Sequence, residues 1–212
     1  MPSMKDSGVI PDSDVYFIQK LAAAGDQAAY KKIYYYYFQK LCLFAQAIVK
    51  VREAAEEIVE DVFIKIWQKK EKLAEIKNLK VYLYTAAKNT SLNYLSSKAR
   101  TNITRPFDDI NIELWKTTSN PEQIMISDEI MSKIHGAVDS LPPRCKMIFK
   151  LIREDGLRYK EVSDILNISV HTIDAQMAIA IRKIVTALNP DFDWLASGKP
   201  PHDVSRHSIQ NP

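Results

Sequence analysis

The spacing of apolar residues between Leu157 and Leu188 predicts two helices joined by a tight turn. The first helix has one short apolar face. Asn167-Ile168-Ser169 forms the turn, in which Ser169 caps the second helix. The second helix carries an apolar stripe at spacings of three and four: Ile173, Met177, Ile181, Ile184, Val185 and Leu188. This pattern is typical of a helix-turn-helix, although an ordinary helical hairpin has the same spacing.

The other face of the second helix is polar, and the order of residue types along it suits DNA binding. Small and hydrogen-bonding residues come first, and two cations come late. The residues on this face are His171, Thr172, Ala175, Gln176, Ile179, Arg182 and Lys183. In a recognition helix, residues near the N-terminus meet base edges and later cations meet phosphates. We therefore predict that this segment reads duplex DNA.

Apolar residues recur with a helical period through most of the remaining chain, and no stretch alternates regularly enough to predict a strand. Helices are predicted over about 15–24, from Asp26 through Ile48, over about 53–72 and over about 79–97, with two more between Ile126 and Gly156. The predicted class is all-α, with two small helical domains joined by a flexible linker and a helix-turn-helix at the end of the second.

Prolines, asparagines and a loss of helical period mark the domain boundaries. Residues up to about 13 are predicted to be disordered, and the first domain covers 14–100. The flexible linker covers 101–121, with the sequence TNITRPFDDINIELWKTTSNP. The second domain covers 122–189, where Asn189-Pro190 ends the last helix, and 190–212 is predicted to be a mobile tail.

Composition and charge narrow the function classes. The 212 residues are 46% hydrophobic and 26% charged, as in soluble globular proteins, and a net charge of +3 allows a nucleic-acid partner without requiring one. Cys42 and Cys145 are far apart and form no metal-binding spacing, so we predict free thiols and no metal or cofactor. With no signal peptide and no apolar run long enough to span a bilayer, we predict a cytoplasmic protein without direct membrane insertion.

The third and fourth helices carry polar patterns that suggest partners. The third helix begins with five acidic residues and ends with three lysines. This order is explained either by the helix dipole or by a surface of carboxylates that binds a basic protein. The fourth mixes cations, amides and aromatic rings, which suits single-stranded or distorted DNA but also fits a solvated helix with core tyrosines. Its polar and aromatic residues are Lys80, Tyr82, Tyr84, Lys88, Asn89, Asn93, Tyr94, Lys98 and Arg100.

Together the two domains resemble the extracytoplasmic-function (ECF) sigma factors, the small two-domain members of the sigma-70 family. The resemblance covers about 14–100 and 122–188, and its specificity lies in the order and spacing of the segments. These are LAAAGDQAAYKKIYYYYFQKL, EEIVEDVFIKIW, LKVYLYTAAKNTSLNYL and DSLPPRCKMIFKLIREDGLRYKEVSDILNISVHTID. The tyrosine-rich second helix and the IW ending of the third are most similar to versions from Bacteroidetes-type bacteria.

The resemblance implies a transcription initiation factor that is not an enzyme and needs no cofactor. Such a protein binds core RNA polymerase, recognises promoter DNA and directs transcription initiation. The implied partners are the β′ clamp coiled coil and the β flap of the polymerase, promoter DNA and a membrane-linked anti-sigma factor. The free chain is expected to be a monomer.

The resemblance also implies roles for particular residues. The segment EEIVEDVF is similar to the surface that grips the β′ coiled coil, which implies contacts by Glu57, Glu60, Asp61 and Phe63. The loop over about 73–78 is similar to one that captures a flipped minus-ten base. Flipping a base costs stacking energy, which a pocket and nearby positive charge must offset. The implied minus-ten residues are Lys77, Asn78, Lys80, Tyr82, Lys88 and Asn89. The implied minus-thirty-five residues are Ser169, His171, Thr172, Ala175, Gln176, Arg182 and Lys183.

The chain departs from the family pattern at several DNA-facing positions. Many relatives carry Asp near Asn93 and Arg near Ser96, and they often carry cations at the positions of Gln176 and Ile179. The departures predict a weaker phosphate grip at the minus-thirty-five end, with Ile179 placed to touch a thymine methyl or the tail.

Two other function classes stay open at this stage. A stand-alone helix-turn-helix regulator would bind duplex DNA without polymerase. An enzyme is disfavoured, because the sequence contains no HExxH motif, no Gly-rich phosphate loop and no Ser/His/Asp set at an informative spacing.

Overall fold

The computed structural model describes residues 12–98 and 128–189, and every regular element in these ranges is a helix. The elements of the first domain are α1 (Asp12–Ala23), α2 (Gln27–Val49), α3 (Arg52–Gln68), a 3-10 helix (Lys70–Glu75) and α4 (Leu79–Lys98). Those of the second are α5 (Asp128–Asp139), α6 (Pro143–Arg153), α7 (Tyr159–Leu166) and α8 (Val170–Leu188). The all-α class is confirmed. The predicted linker, the tail from 190 and most of the predicted disordered start lie outside the described residues.

Helix α2 is the centre of the first domain and packs against α1, α3 and α4. Gly25 adopts a left-handed conformation with φ +97° and separates α1 from α2. Asp26 Oδ1 then accepts hydrogen bonds from the backbone N–H groups of Ala28 (2.8 Å) and Ala29 (3.0 Å), so it caps α2 as predicted. Lys50, with φ 68°, turns the chain towards α3.

The third helix is shorter than predicted. It ends at Gln68, whereas the acid-to-lysine pattern predicted a helix through residue 72. The segment 68–72 has no apolar side chain to bury, and most helical stability in proteins comes from packing an apolar face. The chain instead tightens into the 3-10 helix, which carries Leu73 into the core at 1% exposure.

The second domain contains the predicted helix-turn-helix. Asn167 ends α7 in a left-handed conformation with φ 55°, and Ser169 Oγ accepts a hydrogen bond of 3.0 Å from the backbone N–H of Thr172 at the start of α8. Helix α8 packs against α5, α6 and α7. The predicted turn and cap are therefore confirmed.

The apolar stripe of α8 follows a different line from the predicted one. Ile173 and Met177 are buried as expected, but the next buried position is Ala180, and Ile181 and Leu188 are exposed. At about 100° per residue, positions 173, 177, 180 and 184 stay on one side of a helix, whereas 181 lies well around from that line. The prediction for Ile181 and Leu188 was wrong, because helical phase and not side-chain size decides which residues of α8 face the core.

The two domains pack against each other. Their buried residues form one apolar cluster that includes Phe44 and Tyr84 of the first domain and Met147, Leu151 and Val162 of the second. The main helix pair across this contact is α4 with α7. The first helix of the helix-turn-helix therefore rests on α4. No helix in the described ranges is long and apolar enough to cross a membrane.

Candidate nucleic-acid and protein interfaces

The acidic row of α3, formed by Glu57, Glu60 and Asp61, is exposed on the outward face of the first domain. Positions 57, 60 and 61 share a face because neighbours on a helix surface are three and four residues apart. Lys65 Nζ lies 3.8 Å from Asp61 Oδ2, but both side chains are more than 60% exposed, so this ion pair contributes little and leaves the carboxylate accessible. The acidic row is thus a rigid, solvent-facing set of carboxylates.

Phe63 differs from its predicted role as a surface contact. Its side chain is 3% exposed, and its ring packs edge-on against Tyr34 and Tyr30 at centroid distances of 4.9 Å and 6.3 Å. Position 63 lies on the inward side of α3, so it supports the acidic row from beneath. The apolar residue beside the row is Ile64, 53% exposed, which sequence analysis missed although it follows Glu60 by one helical turn.

Helix α4 carries two polar stripes with different surroundings. One stripe, Lys80, Tyr84 and Lys88, has a spacing of four and faces the second domain. The other contains Tyr82 and Asn89, and both are exposed. The predicted minus-ten residues are therefore divided between a covered stripe and a free stripe of the same helix.

Both lysines of the covered stripe donate hydrogen bonds to the second domain. Lys88 Nζ donates to the carbonyl of Ile165 at 2.6 Å, near the C-terminus of α7, where carbonyls lack helical partners and a cation is favoured. Burial lowers the pKa of Lys88. Lys80 Nζ donates to the carbonyl of Gly156 at 3.4 Å. The second domain thus uses two of the three ammonium groups that were predicted to meet minus-ten DNA.

The Asn78 side chain forms hydrogen bonds to both domains. Its Oδ1 accepts from the backbone N–H of Val81 at 3.1 Å at the start of α4, and its Nδ2 donates to Glu161 Oε1 at 2.7 Å. The other carboxylate oxygen of Glu161 accepts from the backbone N–H of Arg158 at 2.8 Å, at the start of α7. Lys77, the residue before Asn78, is exposed.

Tyr84 and Asp155 form a polar pair in the contact between the domains, and no local pattern in the sequence predicts this pair. The buried Tyr84 hydroxyl lies close enough to Asp155 for each group to affect the pKa of the other. Burial raises the pKa of Asp155 to about 6, opposed by Tyr84 and Lys40. Burial also raises the pKa of Tyr84. Burying the ionised form of Asp155 costs free energy, so this part of the contact opposes closure when the carboxyl is ionised.

The predicted minus-thirty-five residues lie along the open side of α8. His171, Ala175 and Arg182 are exposed, and Thr172 and Gln176 are half-buried. Ser169 Oγ is occupied by its capping bond and by the Thr172 hydroxyl, 2.8 Å away. Lys183 Nζ donates to the carbonyl of Ser140 at 2.9 Å, just after the end of α5. Ser169 and Lys183 therefore have structural roles in addition to any contact with DNA.

The described residues also include two buried thiols and no group of acids, histidines and cysteines that could hold a metal ion. Burial raises the pKa of Cys42 to about 12 and also raises the pKa of Cys145. Because the pKa of each thiol is raised, only a small fraction of either is ionised near neutral pH, and both are poor nucleophiles.

The sequence matches two family models, one on each domain. The model described as Sigma-70 region 2 matches residues 33–101, and the model described as Sigma-70, region 4 matches residues 131–184. The chain is 27% identical over 172 residues to the ECF RNA polymerase sigma-E factor of Escherichia coli (strain K12), covering 78% of this chain and 90% of that protein. It is 25% identical over 176 residues to the RNA polymerase sigma-H factor of Pseudomonas aeruginosa, covering 78% and 89%.

Two solved structures are similar to this chain. CnrH in complex with the cytosolic domain of CnrY has a TM-score of 0.49 and 14% identity, covering 83% of this chain and 97% of that chain. The sigma factor RpoE in complex with the anti-sigma factor NepR from Bartonella quintana has a TM-score of 0.49 and 21% identity, covering 76% and 97%.

Proposed function

The chain belongs to the ECF group of the sigma-70 family, and from that membership we propose which of its surfaces bind polymerase and which bind promoter DNA. It is an RNA polymerase sigma factor and directs transcription initiation. The observation that carries the proposal is the placement of two open surfaces on separate domains. The acidic row lies on α3 within the region 2 match, and the polar face of α8 lies within the region 4 match.

We propose that the acidic row binds the β′ coiled coil of core polymerase. Glu57, Glu60 and Asp61 are exposed on a helix that is packed firmly on its other side, so their carboxylates are held at fixed spacing. Ile64 adds an exposed apolar contact next to them. A preformed row of like charges favours a basic partner and speeds its association. A contact with the β flap stays a prediction.

We propose that the 73–78 loop and α4 bind the minus-ten element. Lys77, Tyr82 and Asn89 are exposed and supply a cation, an aromatic ring and an amide, which suit unstacked single-stranded bases. Lys80 and Lys88 would join them only when the second domain moves away.

For the minus-thirty-five element we propose direct contact by α8. His171, Thr172, Ala175 and Gln176 lie in its first two turns, where base edges are within reach, and Arg182 lies further along, towards phosphates. Ser169 contributes by fixing the start of the helix.

Substitutions in α8 should separate sequence discrimination from general affinity in the polymerase holoenzyme. Gln176→Ala should relax discrimination at one or two minus-thirty-five positions, at the lower end of the roughly 1–3 kcal/mol of a good bidentate contact. Arg182→Ala should weaken all promoters alike and reduce the log–log salt slope by about one. Transcription from promoters with good and poor minus-thirty-five elements, measured over a range of salt, checks both results.

Lys32→Ala is the matched control, because it removes an exposed cation from α2 of the other domain. Equal transcription by wild type, Gln176→Ala and Arg182→Ala on every promoter would show that this face of α8 is only a solvated helix surface.

The second candidate function is that of a stand-alone regulator, which the exposed helix-turn-helix alone would permit. Comparing promoter-specific transcription and duplex binding with and without core polymerase distinguishes the two. For a sigma factor we expect specific transcription only with core polymerase, and weak duplex binding by the chain alone. Nanomolar, sequence-specific binding by the chain alone at physiological salt would favour the regulator.

We propose further that the free chain covers part of its minus-ten surface with its own second domain. Asn78, Lys80 and Lys88 donate to groups of that domain, while the acidic row and the outward face of α8 remain open. Polymerase can therefore bind the acidic row first. Opening of the domains then releases the covered stripe for DNA. Burial of the ionisable Asp155 opposes closure, which keeps the closed state from being too stable to open.

The closed state should strengthen on acidification, because Asp155 takes up a proton more readily when the domains are closed. Burial raises its pKa from the ordinary 3.8 to about 6, so the added closing stability is fully present below 3.8 and is lost as pH rises through about 6. Energy transfer between dyes on α2 and α5 should report more closed molecules below about pH 6. Asp155→Asn lacks the ionisation, so it should stay closed at neutral pH without this transition.

Glu154→Gln is the control, since it removes the exposed neighbouring acid and should leave the transition in place. A flat profile in the wild type, or an unchanged transition in Asp155→Asn, would contradict the role of Asp155.

Four properties stay proposals that rest on family membership. We propose that the chain acts in the cytoplasm, where polymerase and DNA are, and that it catalyses no reaction itself. We propose regulation by a membrane-linked anti-sigma factor, and a monomeric free chain. The domain bounds of 14–100 and 122–189 are also proposals, and expression of each segment alone tests whether it folds.

A further inference from the structure

Helix α1 holds the 73–78 loop through a buried amide. Gln19 is 3% exposed, and its Nε2 donates hydrogen bonds to the carbonyls of Leu73 and, at 2.8 Å, Ile76. At the surface, Lys20 Nζ donates to the carbonyl of Ala74 at 3.1 Å. Two consecutive residues of α1 therefore hold three backbone carbonyls of one short loop.

The Gln19 contact fixes the loop more firmly than a surface contact would. A side-chain amide has two N–H donors, and here each finds a carbonyl at the end of the 3-10 helix. Because Leu73 is anchored in the core at 1% exposure, the loop is held both by its apolar side chain and by its backbone. Two residues beyond Ile76, Asn78 caps α4. The loop thus has little freedom between two fixed ends.

The loop and α1 form two sides of a recess of about 210 Å³, which Arg158 and Glu161 of the second domain also line in the closed chain. Tyr16 and Gln19 contribute to its lining from α1, and Lys77, Asn78 and Lys80 contribute from the loop and the start of α4. The hydrogen bonds from Gln19 to the two carbonyls join α1 to the loop, and so connect these two sides. A pocket selects among bases by shape and hydrogen bonds only when its sides are held in place.

We propose that Gln19 is a positioning residue for minus-ten recognition, which fixes the 73–78 loop so that it accepts one extruded base in preference to others. The proposal rests on the proposed role of this loop in base capture. Gln19 acts through the loop backbone and does not contact DNA. Nothing in the helical pattern of α1 distinguishes it, because a single glutamine among apolar residues is unremarkable until its partners are known.

The test uses Gln19→Met in complete holoenzyme, since methionine keeps the length and bulk of the side chain but loses both donors. We expect polymerase affinity and minus-thirty-five discrimination to be unchanged. Discrimination between preferred and substituted bases at the captured minus-ten position should fall about tenfold, as the loss of one to two neutral hydrogen bonds would allow. A 2-aminopurine placed at that position should show a weaker extrusion signal, and the amides of 73–78 should exchange hydrogen faster in the free chain.

Ser91→Ala is the matched control, because Ser91 is also buried and polar but its hydroxyl donates to the carbonyl of Ala87 within its own helix. It should leave minus-ten discrimination intact. If Gln19→Met lowers transcription from all promoters by one common factor, Gln19 is merely structural and the proposal is overturned. If Lys77→Ala and Tyr82→Ala also leave minus-ten discrimination and the extrusion signal at wild-type levels, it is the proposed base-capture role of the loop that fails.

Discussion

Replacing Glu60 and Asp61 by lysine should abolish association with core RNA polymerase and leave the fold intact. Both side chains are exposed, so the substitutions add no buried charge to the domain. At the polymerase surface, however, two attractive carboxylates become two repulsive ammonium groups. Losing one partner of a charge pair that is buried in an interface costs roughly 2–5 kcal/mol, and reversing two should remove detectable binding. Pull-down of β′ and thermal unfolding of the purified double variant measure the two effects.

A charge-matched control is available in the same domain. Glu71 and Glu75 are exposed acids of the 3-10 helix, and replacing both by lysine changes the net charge by the same amount. That variant should still bind β′, because its acids are not on the acidic row. Unchanged β′ binding by a folded Glu60→Lys, Asp61→Lys protein would reject the acidic row as the polymerase surface.

Locking the two domains together should eliminate transcription without eliminating polymerase binding. Lys40 and Glu154 lie on opposite sides of the groove between α2 and α6, away from the proposed DNA residues. Cysteines at both positions, joined by a short bis-maleimide, would prevent the covered stripe of α4 from leaving α7. Runoff transcription should then fall to background, because a covalent link removes the open state from the equilibrium. Pull-down of β′ should be unchanged, since the acidic row stays exposed.

The natural cysteines do not interfere with this experiment. Cys42 and Cys145 are buried, and the raised pKa of each thiol leaves little reactive thiolate. The control is the same double variant treated with a monofunctional maleimide, which adds bulk at both positions without joining them. Full transcription by the cross-linked protein would show that the domains need not separate, and the proposed masking of the minus-ten surface would be abandoned.

Local sequence rules predicted the features that depend on a few neighbouring residues. Asp26 and Ser169 were identified as helix caps, and Asn167 as part of a turn, because cap and turn preferences arise from bonds to backbone groups two or three residues away. The all-α class and the helix-turn-helix followed from apolar periodicity in the same way. The family resemblance rested on the order of these local segments, which is why it identified the function from sequence.

The side of a helix on which a residue falls was less certain, because it depends on what the helix packs against. Phe63 is buried where a surface contact was predicted, and Ile64 is exposed beside the acidic row. Ile181 is exposed, while the smaller Ala180 is fully buried. Periodicity gives the relative angles of residues on a helix, but the tertiary structure sets the absolute direction of the core.

The sequence by itself determined the all-α class, the helix-turn-helix and the caps Asp26 and Ser169, since each depends on residues close together in the chain. Only the tertiary structure decided that Lys88 caps α7 and that Tyr84 meets Asp155. It also decided that Gln19 holds a loop more than fifty residues away. These contacts join polar groups from distant segments of the chain. The neighbouring sequence of a polar residue is the same whether its side chain has a distant partner or faces water. Whether such a side chain finds a partner or faces water therefore depends on how the helices and domains pack.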